Sequence, residues 1–357
     1  MLKTSSSLRH LFFTCSSSSR TLSTRRLVYE TRGAPEKVLK LETIELPDKL
    51  ESEQVLVEWN AGVVNPSDLN QIQGTYRTQP KLPAQVGMDG VGTVAKVGSS
   101  VKSLREGDRV ICEFKRNGTW AEHGLYRDTD LIPIDKNLPN LPVEDAMFIK
   151  VNPMSAYIML KEYASLNPGD YVLQNCANSA VGQLVIQMSR ILGFKTINVV
   201  RNRPNLADLV KELKALGADE VITEEELFDR KRKVKLPRVK LALNGVGGKS
   251  SLHLAARLQN SGCMVTYGGM SKESVQSPTA PLIFDNISLR GFWLFSWSEM
   301  QKNRGEVDKI LGDITGWMKS GEIVKPAFQK RTLDDYKAAV TDAQTVFDRK
   351  QVFFMKQ

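Results

Sequence analysis

Apolar positions follow two rhythms along this chain. Through residues 27–150 they come in short runs broken by turn residues. Residues 55–59 and 91–97 have strand character, with turn signals at Asn65 and Pro66, Gly98 and Ser99, Glu106 to Asp108, and Asn117 and Gly118. Short strands at this spacing predict a partly open barrel rather than a parallel sheet. From about Asn152 the rhythm lengthens. Residues 171–174 predict a buried strand, followed by a turn and a helix with Val181, Leu184, Val185, Met188, Ile191 and Leu192 on one stripe, ended by Gly193. A strand at 196–200, a helix at 206–216, strands at 220–222 and 240–243, a helix at 251–258 and a strand at 263–267 follow. Alternating units of this size predict an α/β fold with a doubly wound parallel sheet. Beyond Glu306, helices at 307–318 and 333–343 lead to an apolar strand at 351–355, expected to return to the first domain. The resulting division is a leader at 1–26, a β-rich domain at 27–151, a nucleotide-binding domain at 152–305 and the return at 306–357.

Composition narrows the class. The chain has 357 residues, enough for two domains, and is 41% hydrophobic and 25% charged, as expected of a soluble globular enzyme. No run approaches 18 apolar residues, so no transmembrane helix is expected. The net charge of +9 is concentrated at the start. Lys3, Arg9, Arg20, Arg25 and Arg26 precede the first acid, Glu30, among serines at 5–7 and 16–19 and the apolar Leu2, Leu8, Leu11, Phe12 and Phe13. An Arg-rich, Ser-rich, acid-free amphipathic segment reads as a mitochondrial transit peptide, which implies a matrix protein; the plain alternative is a tail without an address. The modest positive excess left after such a leader does not call for nucleic acid. Cys15, Cys112, Cys176 and Cys263 lie far apart without CxxC spacing, against both disulfides and a cysteine zinc site.

The turn after residues 171–174 places Ala177, Ser179 and Gly182 where the dinucleotide fingerprint has its three glycines. Small side chains still allow close backbone approach, Gly182 still lets helix and strand pack, and amides at the helix start can cradle a pyrophosphate. About 20 residues on, an NAD site usually carries an acid for the ribose 2′-hydroxyl. Here Arg201 and Arg203 stand instead, suited to the 2′-phosphate of NADPH. The alternative is two solvated loop arginines.

Residues 64–68, 87–92, 107–110 and 267–270 together resemble the medium-chain dehydrogenase/reductase superfamily, which joins a GroES-like barrel to a Rossmann domain. Its zinc enzymes carry a Cys before a Ser/Thr-Asp pair and a Gly-His-Glu motif. Asn65 and Met88 occupy those places here, so no metal is expected. Blocks at 65–76, 151–153, 175–183, 197–204, 221–227, 244–250, 265–270 and 289–294 are similar to the mitochondrial trans-2-enoyl-CoA/acyl carrier protein reductases of the zinc-free branch.

That resemblance implies a proton-donating Tyr76 and cofactor contacts at Asn152, Asn178, Ser179, Ala180, Val181, Arg201, Asn202, Arg203, Tyr267, Gly268, Gly269, Met270, Phe292, Trp293, Leu294 and Lys350. It also implies NADPH as cofactor, enoyl thioesters of CoA or acyl carrier protein as substrates, a role in mitochondrial fatty acid synthesis, and a homodimer joined near residues 287–294. Met88 followed by Asp89, where relatives often have a small residue followed by Glu, and Cys176 in the phosphate loop depart from the pattern.

Reducing a 2-enoyl thioester needs a hydride at C3, a proton at C2 and help for charge building on the thioester oxygen. A phenol can give the proton. Trp293 and Phe292 are expected to wall the nicotinamide and acyl pocket. Lys231, Arg232, Lys233, Lys235, Arg238 and Lys240 form either a solvated face or an attractor for acyl carrier protein or CoA phosphates. His123 and His253 read as structural. Two rivals stay open: a zinc-free quinone or enone reductase, which would not require Tyr76, and a non-catalytic NADPH-binding regulatory protein.

Overall fold

The computed structural model describes residues 21–114, 118–134, 141–229, 236–300 and 304–356. The first eight strands are β1 (Ser23–Tyr29), β2 (Leu39–Glu45), β3 (Gln54–Val63), β4 (Ala84–Gln85), β5 (Asp89–Val97), β6 (Arg109–Cys112), β7 (His123–Arg127) and β8 (Leu131–Pro133). The alternation read at 55–59 lies within β3, where Val55, Val57 and Trp59 are fully buried and Trp59 Nε1 donates to Tyr126 Oη at 3.1 Å. β3 pairs antiparallel with β5 on one side and with β7 and the chain's last strand, β16 (Lys350–Phe354), elsewhere along its length. β2, β1 and β4 form a smaller sheet beside it. This is the partly open barrel expected of the first domain.

The expected leader boundary at 26 falls inside β1. Arg25 bonds Glu122 at 2.9 Å and Asp334 at 3.0 Å, Arg26 bonds Glu42 at 2.8 Å, and Leu27 and Tyr29 are fully buried. Ser23 to Arg26 therefore belong to the folded body. Residues 1–20 lie outside the described residues, as do Lys231 to Lys235 of the basic run.

The second domain is one parallel sheet of β9 (Tyr171–Gln174), β10 (Lys195–Val200), β11 (Glu220–Thr223), β12 (Val239–Asn244), β13 (Leu258–Thr266) and β14 (Ser288–Gly291), in the order β11-β10-β9-β12-β13-β14. Counted from β9 this is the doubly wound order of dinucleotide-binding sheets, with its switch point between β9 and β12. The helix after β9 runs Ala180–Ile191, and Ser179 caps it by accepting from the Gly182 amide at 3.1 Å. The helix expected at 251–258 sits earlier, at Gly248–Ala255, because the chain turns at Gly247 (φ 90°) and Gly248 enters the helix directly.

The return to the first domain begins later than residue 306. Helix Arg304–Lys319 packs instead on helix Val151–Glu162, where Tyr157 Oη donates to Asp313 at 2.7 Å and stacks on Trp317 at 5.8 Å. β15 (Phe328–Arg331) and β16 then join the barrel sheet. One core runs through both domains: Ala61, Val63 and Val352 from the barrel and Val172, Leu243 and Val265 from the parallel sheet meet around Met154, Ile158 and Met159. Each of these valine, leucine, isoleucine and methionine side chains contributes roughly 1.5–3 kcal/mol on leaving water, so the shared core holds the two domains together. No helix among the described residues is long and apolar enough to cross a membrane.

Candidate active site

Asn65 and Asp68 set the first wall of the cleft. Asp68 Oδ2 accepts from the Asn65 amide at 2.8 Å, which caps helix Pro66–Gln73 with proline in its first turn. The helix stops at Gly74 in the left-handed region (φ 80°). The amides of Thr75 and Tyr76 then turn back to Asn70 O at 2.9 and 3.1 Å, and Gln79 Nε2 donates to Tyr76 O at 2.6 Å. The loop carrying Tyr76 is thus bound on both sides of the tyrosine.

Across the cleft, Trp293 Nε1 donates to Tyr76 Oη at 2.7 Å, with the rings edge to face at 6.1 Å and 80°. An indole N–H can only donate, so the tyrosine oxygen accepts and its own proton remains available to another acceptor. Burial raises the Tyr76 pKa, keeping the phenol protonated at neutral pH. Trp293 is the one member of its triplet that faces the cleft. The expectation that Phe292 walls the acyl pocket is corrected: its side chain is buried in the core against Tyr163, and Leu294 is buried beside it. Both can meet a ligand only through their backbone.

Behind Tyr76 lies a buried polar network. Asn65 Nδ2 donates to Asp89 Oδ2 at 3.1 Å, and Asn65 Oδ1 accepts from Lys350 Nζ at 2.6 Å and from Asn152 Nδ2 at 3.5 Å. Asp68 Oδ1 accepts the Met88 amide at 2.9 Å, and Lys150 Nζ donates to the carbonyls of Met88 and Cys112. At Asn65, one of the two positions that hold zinc ligands in the zinc branch, the buried partner is the Lys350 ammonium; Met88 at the other is a core side chain. Among the described residues no cluster of three or more His, Cys, Asp or Glu could hold a metal ion. The departure at Asp89 has a visible effect: its shorter carboxylate leaves Oδ1 buried without a partner.

Burial pushes Asp68 up to about 7, against the amide bonds it accepts, and pulls Lys350 down to about 8, against the nearby Asp89 and Asp68 charges. Asp68 holds its proton more tightly when folded than its ordinary 3.8, so its contribution to stability is complete below that value and is lost as pH rises through about 7. Lys350 acts oppositely, its contribution being lost as pH falls through about 8. Denaturation midpoints measured across this range will fall more steeply with rising pH in the wild type than in Asp68→Asn. Parallel profiles would mean that Asp68 titrates as an ordinary carboxylate.

Above the network a cavity of about 440 Å³ opens between the ends of β9 and β10 and the segment before β16. Asn178, Ser179, Ala180, Arg201, Met270 and Lys350 line it. A Cβ on Gly182 would lie 2.6 Å from Ala177 O, so only glycine lets the helix start this close to the turn. Cys176 opens the turn with φ 55°. Arg201 and Arg203 have no acidic partner among the described residues; Arg203 Nε reaches Arg201 O at 3.4 Å, and Arg201 lies over the Phe347 ring at 5.7 Å. A helix N-terminus in a small-residue turn with two unpaired arginines beyond it fits a dinucleotide with a 2′-phosphate.

Val181, Asn202, Arg203, Tyr267, Gly268, Gly269 and Asn152 do not line the cavity directly, nor do Tyr76, Phe292, Trp293 and Leu294. Asn202 is exposed beside the arginines, Tyr267, Gly268 and Gly269 follow β13 next to it, and Asn152 touches it through Asn65 and Lys350. The capping box of Asn65 and Asp68 went unread in the sequence, although an Asn three residues before an Asp signals one. In the basic run, Arg238 pairs with Asp285 at 3.5 Å and Lys240 with Asp170 at 2.7 Å, so these two hold the second domain together. His253 stacks on Phe228 at 3.8 Å and His123 Nδ1 is buried in β7, both away from the cleft.

Fold and cleft define a two-domain nicotinamide-dependent oxidoreductase, with Asn65 and Met88 at the places of the zinc branch's ligands. Residues 51–136 match the alcohol dehydrogenase GroES-like domain model, and residues 180–308 match the zinc-binding dehydrogenase model. The mitochondrial enoyl-[acyl-carrier-protein] reductase of Caenorhabditis elegans is 53% identical over 94% of this chain and 96% of its own, and that of Homo sapiens is 41% identical over 93% and 88%. Among solved structures, the mitochondrial 2-enoyl thioester reductase Etr1p/Etr2p heterodimer from Candida tropicalis superposes with a TM-score of 0.86 at 34% identity. It covers 94% of this chain and 100% of that one. The complex of Etr1p with NADP and crotonyl-CoA superposes at 0.85 and 35% with the same coverage. The chain belongs to the mitochondrial enoyl-[acyl-carrier-protein] reductase family of the medium-chain dehydrogenase/reductases.

Proposed function

We propose that this enzyme reduces trans-2-enoyl thioesters to saturated acyl thioesters with NADPH in mitochondria, the last reductive step of fatty acid synthesis there. The observation that carries the reading is the bond from Trp293 Nε1 to Tyr76 Oη. It turns the phenol's lone pair away and leaves its proton for the substrate. Reduced nicotinamide, when bound, supplies the hydride that C3 requires. Tyr76 donates a hydrogen bond to the charge building on the thioester oxygen, or the proton itself to C2. Asn178, Ser179, Ala180 and Arg201 hold the dinucleotide from the cavity lining, with Arg203 beside Arg201, and Lys350, fixed by Asn65, sits where the cavity meets the buried network. The decisive test is NADPH oxidation with a trans-2-enoyl-CoA. A protein that binds NADPH but consumes it only with quinones would overturn the proposal.

Either CoA or acyl carrier protein carries the acyl group, and the same cleft serves both thioesters. The division of the chain that we propose is a leader that ends before Ser23, a catalytic domain that includes β15 and β16, and a nucleotide domain spanning β9 to β14. The protein is a homodimer. β14 is an edge strand that bonds only β13 among the described residues, and Leu289 on it, with Ile283 and Phe284 on the adjoining helix, are 40%, 65% and 77% exposed. An apolar sheet edge of this kind is a template for pairing with a second copy. Replacing Phe284 with Glu and Leu289 with Lys will convert the dimer to a monomer in sedimentation analysis at micromolar concentration. A wild type that already sediments as a monomer would rule the dimer out.

A further inference from the structure

The cofactor cavity has two walls, and only one belongs to the nucleotide domain. The other belongs to the catalytic domain and includes residues 346–349, the strap between helix Tyr336–Thr345 and β16. Phe347 reaches across from this strap. Its ring is 43% exposed and lies against the Arg201 guanidinium at 5.7 Å, joining the two walls. A ring that holds a guanidinium by its face leaves the N–H edges pointing outward, in the geometry that grips a phosphate. Two residues on, Arg349 also lines the cavity. Its Nε and Nη2 are held by the two oxygens of Asp348 at 3.1 and 2.8 Å, which fixes the fork and leaves Nη1 free. Glu224, the cavity's other acid, is tied to Ser250 Oγ at 2.7 Å.

We propose that the strap completes the 2′-phosphate site, with Phe347 positioning Arg201 and Arg349 supplying a second cation from the catalytic domain. The inference rests on the NADPH reading above and adds to it that preference for the phosphorylated cofactor is built from both domains. Arg201 alone is exposed and free to swing. Held by Phe347 and faced by Arg349, it meets a dianion arriving between the walls without first losing its side-chain freedom.

The test is equilibrium binding by the full-length mature protein, without substrate, of NADPH, NADH and 2′,5′-ADP. Phe347→Leu, which keeps apolar bulk but removes the ring face, and Arg349→Gln are each expected to weaken NADPH and 2′,5′-ADP about tenfold while leaving NADH unchanged. Arg201→Gln is the reference. If Arg201→Gln weakens NADPH and the strap variants bind as wild type, the strap proposal fails and the NADPH reading stands. If strap variants weaken NADH as much as NADPH, the strap is a general wall and the proposal also fails. If Arg201→Gln itself leaves NADPH binding unchanged, the reading beneath both is wrong.

Discussion

Tyr76→Phe lowers kcat for enoyl thioester reduction by about 10²–10³-fold and leaves the NADPH dissociation constant unchanged, the range expected when a positioned general acid is removed. The ring stays, so its edge-to-face packing on Trp293 stays; what goes is the hydroxyl that accepts at 2.7 Å and offers its proton to substrate. Because the loop is held through backbone bonds to Asn70 and Gln79 rather than through the hydroxyl, the substitution leaves the fold intact. Trp293→Phe keeps the proton donor and loses only its orientation, so a smaller drop of roughly tenfold is expected, the size of one neutral hydrogen bond. Thioester turnover that survives Tyr76→Phe undiminished would remove Tyr76 from the chemistry and favour an acceptor that needs no acid.

The second large effect is on cofactor choice. Replacing Arg201 and Arg203 together with Gln is expected to weaken NADPH by about a hundredfold and NADH hardly at all, the low end for losing two charge-assisted partners from a partly exposed site. Steady-state kcat/KM with each cofactor reads it directly. An equal loss with both would mean that the arginines serve the fold or the pyrophosphate. Neither has an acidic partner among the described residues, so their removal leaves no buried carboxylate behind.

The periodic parts of this molecule were legible from residue order. The β9 strand and β10 are legible because each is a continuous apolar-rich run buried on both faces, and helix Ala180–Ile191 because its apolar stripe repeats with the helical period. No periodicity marks β14, since Ser288–Gly291 is short and largely exposed and pairs only with β13 among the described residues; only the family resemblance places an edge strand near 287–294. The expected leader boundary cuts β1, because Arg25 and Arg26 find their acids far along the chain, at Glu122, Asp334 and Glu42. The site divides the same way. Tyr76 and the arginines follow local motifs, whereas the bond of Lys350 to Asn65 spans most of the chain and the turning inward of Phe292 depends on Tyr163.

The pairing of β16 with β3 sets an order of assembly. A protein threaded N-terminus first into an organelle delivers β9 to β14 as one continuous stretch, and that sheet can close as soon as Gly291 has arrived. The barrel cannot close then. One partner of β3 is Lys350–Phe354, which enters only after the whole nucleotide sheet, and with it comes the lysine that fixes Asn65. Until Phe354 has arrived, β3 lacks one of its strand partners and Asn65 lacks its lysine, so the catalytic cleft assembles after the nucleotide sheet.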